Sequence, residues 1–234
     1  MEDGQFQEYL NSIVLRLKVE STEFIEKELK GLLSGLSYKK YEQLLSVLRD
    51  EKVLSLAQYE VLRKNYLVLN KYLMLYEIGS RIFGEIWAIQ QLKSLDKRFK
   101  VPNQASDSAY YGQYDLMFEG IKLGTKACRA VDNQKEGNRL AKALHYDSGK
   151  PFEMNFRQLR VESCEVLVLI GVWIDQLVYW VFSYNEIQGN KYFYQNKGKF
   201  EESLLVITDK NLSDFDRYRV AELQVMDVVL KKKA

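Results

Sequence analysis

The stretch GQYDLMFEGIKLGTKACRAV, residues 112–131, decides how the second half of the chain folds. Two runs of β-forming residues, 114–118 and 121–131, flank Glu119-Gly120, which supplies the turn chemistry of an antiparallel hairpin. Side chains alternate across a strand, so Lys122, Gly124, Lys126 and Cys128 share one face of the second strand. Asp115 stands just across the turn on the first.

Working outward, residues 103–113 are polar and short-sided, a loop by composition. Further β-forming runs follow at 166–170, 178–182 and 204–208, and a helix over about 213–231 closes the chain. Upstream the periodicity is helical. Phe6, Leu10, Ile13, Val14 and Leu17 form one apolar face; Phe24, Ile25, Leu29, Leu32 and Leu33 form a second, ending at Gly35; Tyr41, Leu44, Leu45 and Leu48 continue it. Ser55 and Gln58 have capping-box spacing and open a long helical stretch toward Phe99, broken near Gly79 or Gly84. Its later part is expected to bury Ile78, Ile82, Ile86 and Ile89, with Glu77, Arg81 and Glu85 as an ion-pair ladder on the surface. The expected architecture is α/β: a helical region over residues 1–70, then a mixed β-sheet flanked by helices over 71–234.

Composition narrows the function. Hydrophobic residues make up 47% and charged residues 28%, ordinary for a globular chain. The 34 basic residues nearly match 32 acidic ones, so any basic surface must come from placement, and Lys231, Lys232 and Lys233 read as a solvated tail. The single histidine, His145, excludes sites built on several histidines. Cys128 and Cys164 have no metal-ligand spacing and read as reduced thiols of a cytoplasmic protein. No apolar run approaches the ~20 residues that cross a bilayer, so no membrane partner is expected.

The hairpin carries the chemistry. Hydrolysis of a phosphodiester needs carboxylates to hold Mg2+ and a cation to place water and stabilise the phosphorane. An aspartate, a short turn, then acid-any-lysine supplies that set. Asp115 and Lys126 fit it; Gly124, at the acid's position, does not. The pattern resembles the type II restriction endonucleases of the PD-(D/E)XK superfamily, whose second strand typically reads Glu-Val-Lys-Ala-Ser-Arg. MNFRQLRVESCEVLVLIGVWIDQLVYWVFSYNEI, residues 154–187, is similar to that family's next segment: Phe-x-Gln-Leu/Ile-Arg/Lys, a buried strand, a turn bearing Asp and a Trp-containing strand. The resemblance covers roughly residues 75–220, not the helical N-terminus.

The resemblance implies a restriction-endonuclease-like fold and a site-specific, Mg2+-dependent endonuclease of double-stranded DNA, acting as a homodimer on a palindromic target. It makes Asp115 the metal-binding aspartate and Lys126 the catalytic lysine. Glu85 becomes the acid on the preceding helix, the Thr125 carbonyl a further metal ligand, and Gln158 a residue near the DNA backbone. Asn133, Gln134, Asn138 and Arg139 are candidate base readers in the segment after the hairpin. Gly124 leaves three explanations open: an inactivated variant, which the intact flanking pattern favours; a member whose acid has migrated, with Glu85 or Asp107 substituting; or a non-catalytic DNA-binding or assembly protein of the same fold.

Overall fold

The computed structural model describes residues 3–32, 38–196 and 202–233; Leu33 and Gly35 lie outside them. The chain forms two compact units, Met1–Lys71 and Tyr72–Ala234.

The first unit is helical: α1 (Asp3–Leu17), α2 (Thr22–Gly31), α3 (Tyr38–Asp50) and α4 (Leu56–Leu69). The apolar faces meet in a core that includes the fully buried Leu10, Leu29, Leu44, Leu45 and Leu48. Tyr41 stacks on Tyr66 with ring centroids 4.9 Å apart. The Ser55–Gln58 capping box forms as read, satisfying two amides that a bare helix start leaves without partners.

The second unit is α/β. Five strands lie in the order β1 (Leu116–Phe118), β2 (Ile121–Arg129), β4 (Val166–Val172), β5 (Leu177–Ser183) and β8 (Arg219–Val220). The β2–β4 pairing is parallel and the others antiparallel, so the sheet is mixed. A second, antiparallel sheet runs β3 (Glu153–Arg157), β7 (Glu202–Thr208), β6 (Phe193–Asn196). Leu167, Leu169, Trp180 and Phe182 of the first sheet share one apolar core with Met154, Phe156, Leu205 and Ile207 of the second. Gly171 admits the two tryptophans: a Cβ there would lie 2.6 Å from Trp180 and 3.0 Å from Trp173.

The 112–131 hairpin forms. Glu119 and Gly120 take φ of 50° and 82°, the paired positive values of a twist-matched two-residue turn. The helical stretch before it is not one helix. A 3-10 turn, Leu73–Tyr76, is followed by a break and then a π-helical turn, Ile82–Trp87, which runs into α5 (Ala88–Leu95). The π turn inserts a residue into the helical period. The buried positions are consequently Phe83, Gly84, Ala88 and Leu92, while the expected core residues Ile82 and Ile86 are 54% and 55% exposed. Glu77 follows the 3-10 turn and Glu85 lies in the π turn, so the expected Glu77–Arg81–Glu85 ladder has no single regular helix to stand on, and Glu85 pairs with Lys126 instead.

The chain's end also departs from expectation. Instead of one helix over 213–231 there is a 3-10 turn (Leu212–Tyr218), the short β8, another 3-10 turn and α7 (Val225–Lys231). Pairing of Arg219 and Val220 with Trp180 and Tyr179 on the sheet edge overrides helix propensity there. Lys232 is not a solvated tail residue; it pairs with Glu186, which closes the capping box of α6 (Tyr184–Gln188).

Candidate functional site

Three separate elements deliver charged side chains to the Lys126 face of β2. Asp115 enters from just before β1, with its backbone NH donating to the Leu123 carbonyl at 2.9 Å. Lys126 comes from mid-β2, and Glu85 from the π turn packed against that strand. Lys126 Nζ donates to Glu85 Oε1 at 2.8 Å. This hydrogen bond holds the Glu85 carboxyl below its ordinary value, against partial burial. Asp115 Oδ2 accepts from the Thr125 amide at 2.8 Å. Burial pushes the Asp115 carboxyl above its ordinary value, and the Thr125 amide, Arg160 and Lys126 oppose that rise.

Arg160 follows β3 and completes the cluster. Its Nη1 donates to the Gly112 carbonyl at 2.7 Å and to Asp115 Oδ1 at 3.3 Å. Gln158, two residues earlier, has φ of 56°, a left-handed conformation that costs a non-glycine residue about 1 kcal/mol. It is held by its NH on the Ser203 carbonyl at 2.8 Å, while Ser203 Oγ donates to the Leu159 carbonyl at 2.5 Å. The strained turn aims Gln158 and Arg160 over the Asp115–Lys126 pair, and all four line one small cavity.

Two clefts flank this point and share Glu85, Gln158 and Arg160. The larger, about 870 Å3, is lined by the cations Arg81, Lys126, Arg129, Arg139, Arg157 and Arg160 against the acids Glu85 and Glu153. The other, about 560 Å3, carries Tyr111, Gln113 and Gln195. Arg129 is a structural member of the first wall. It donates to the Leu75 and Ile78 carbonyls at 2.8 and 2.7 Å, and lies 3.7 Å from the Phe83 ring centre. Burial pushes its guanidinium down to about 10. These contacts, with Tyr76 OH on the Ala130 and Val172 carbonyls, pin the segment that aims Glu85 at Lys126.

The structure thus brings Asp115, Thr125, Lys126, Glu85 and Gln158 together. Arg139 lines the larger cleft, but Asn133, Gln134 and Asn138 are exposed residues that line neither. The Asn138 side chain instead accepts from the Ala141 amide, a local turn contact. Sequence reasoning gave no role to Arg129 or Arg160. Arg160 stands in the quoted Phe-x-Gln-Leu-Arg stretch, which was the available signal; Arg129 had none.

Gly124 is packed against its neighbours. A Cβ built there would lie 3.0 Å from Leu167 Cδ1 and 3.2 Å from Cys164 Sγ, so a side chain at 124 needs those two neighbours to yield by a few tenths of an ångström. Mg2+ takes one or two carboxylates and completes its octahedron with water and phosphate, and the carboxylates at this point are Asp115 and Glu85. Both Asp115 oxygens and Glu85 Oε1 accept from protein donors. Among the described residues no group of three or more His, Cys, Asp or Glu side chains is arranged to hold a metal ion.

Also among the described residues, no helix is long and apolar enough to cross a membrane. Comparison with known proteins finds no matching family model, no matching curated protein and no matching solved structure.

Proposed function

We propose that this chain binds the phosphodiester backbone of double-stranded DNA on a scaffold of the PD-(D/E)XK nuclease kind, without cutting it. The observation that carries the reading is the larger cleft, in which four exposed arginines, Arg81, Arg139, Arg157 and Arg160, stand beside the Lys126–Glu85 pair in a chain whose overall charge is nearly balanced. Such local excess is the electrostatic footprint of a polyanion partner. The absence of cutting rests on Gly124, which supplies no carboxylate and whose Cβ position is crowded by Leu167 and Cys164.

A second reading, a site-specific Mg2+-dependent endonuclease, is favoured by one observation: Asp115, Glu85 and Lys126 converge from three elements. Binding of labelled duplex across a salt series, followed by addition of Mg2+ or Mn2+ and sequencing of any new ends, separates the two. Affinity that falls steeply with salt and leaves the duplex intact supports the first reading. Discrete fragments would establish the second, and failure to bind at low salt would remove both.

A further inference from the structure

Charge in the cluster closes on itself. Asp115 and Glu85 are two carboxylates, and the structure sets one side-chain cation on each: Arg160 on Asp115 and Lys126 on Glu85. An acid at position 124 without Arg160 would leave the same cluster with a net charge of about −2, the deficit that one divalent cation cancels. Gly124 withholds one negative charge and Arg160 supplies one positive charge, so no divalent cation is required for balance.

Arg160 also has donors to spare. Both of its protein contacts use Nη1, and among the described residues no acceptor engages its Nε or Nη2. Its side chain is 46% exposed and lies where both clefts meet. A half-exposed guanidinium held at one nitrogen keeps Nε and Nη2 for the bidentate geometry of a phosphate.

We propose that Arg160 is a built-in counter-cation: it neutralises Asp115 through Nη1 and presents its free edge to a phosphodiester, so the site engages phosphate without a divalent ion. The phosphate class rests on the DNA reading above; the neutralisation of Asp115 does not.

The test uses the full chain and four variants, Arg160→Ala, Arg160→Lys, Asp115→Asn and the double variant Arg160→Ala/Asp115→Asn. Labelled duplex is titrated by fluorescence anisotropy in EDTA and in Mg2+, and Mn2+ binding without DNA is followed by the loss of its free-ion EPR signal. The parent should bind duplex equally in both buffers and take up no Mn2+. Arg160→Ala should lose about tenfold in EDTA, the worth of one charge-assisted contact. It should recover in Mg2+ and bind Mn2+, whereas Arg160→Lys should retain the parent's indifference to metal. The double variant should lose both the Mg2+ response and the Mn2+ uptake, which a merely structural arginine would not produce.

Parent affinity that depends on Mg2+ would overturn the proposal, as would an Arg160→Ala variant whose metal response equals the parent's. Should no variant bind duplex in either buffer, the DNA reading falls. The Mn2+ titration still decides the counter-cation, because Asp115-dependent uptake in Arg160→Ala supports it and no uptake refutes it.

Discussion

Gly124→Glu places the missing acid on β2 and measures how far the surroundings have closed over its place. The new Cβ meets Leu167 Cδ1 at 3.0 Å and Cys164 Sγ at 3.2 Å, and both side chains are buried. Overpacking of this kind costs about 1–3 kcal/mol, of which replacing a mid-strand glycine returns about 0.5–1 kcal/mol. The net loss should be about 1 kcal/mol, a fall in Tm of roughly 2–4 °C for a unit of this size. Thermal unfolding in EDTA reads this directly. Leu167→Val removes the contacting methyl and should relieve about 1 kcal/mol of the penalty as a coupling in the double-mutant cycle. The new carboxylate also supplies a third acid, so Mg2+ at a hundredfold over its Kd should return about 2.7 kcal/mol to Gly124→Glu and nothing to the parent. A variant as stable as the parent in EDTA, with no coupling to Leu167→Val, would refute the claim that Leu167 and Cys164 crowd the acid's place.

Other perturbations read the same cluster. Asp115→Asn keeps an acceptor for the Thr125 amide while removing a buried charge, whereas Asp115→Ala strands that amide. Urea unfolding should therefore find the alanine variant about 1–2 kcal/mol less stable than the asparagine one. Glu85 is held below the ordinary glutamate value of 4.5 by Lys126, so the pair's contribution to stability is complete above that value and is lost as pH falls through the lower folded one. The raised Asp115 value has the opposite sign, costing stability as pH rises from 3.8 through its folded value. Lys126→Met should abolish the Glu85 contribution, flattening the acid limb of a stability-versus-pH curve measured by denaturant midpoint. Gly171→Ala drives a methyl to 2.6 Å from Trp180 in a core without slack, and should cost about 3 kcal/mol or more by the same measurement.

What the sequence disclosed follows from how local each signal is. The Glu119-Gly120 turn, the Ser55 capping box and the apolar runs of β4 and β5 depend on neighbouring residues, and all appear in the fold. Strand β3 was missed because its alternation, Met154 and Phe156 inward, is only two residues deep between Glu153 and Arg157. The π turn cannot be read from periodicity, because its inserted residue moves the buried face off the isoleucines. The hairpin placed Asp115 and Lys126 together, yet the state of the site depends on distant partners. Arg160 reaches Asp115 across 45 residues, and Leu167 closes on Gly124 through the parallel β2–β4 register. Neither contact leaves a trace in the hairpin's own sequence.

Duplex binding without cutting is decided by titrating a labelled duplex in EDTA across a salt series, then adding Mg2+ or Mn2+ and resolving the strands on a denaturing gel. Affinity should fall log-linearly with salt and be equal with and without metal, and the strands should remain full length. Fragments of defined length, or a duplex left unbound at the lowest salt, would contradict it.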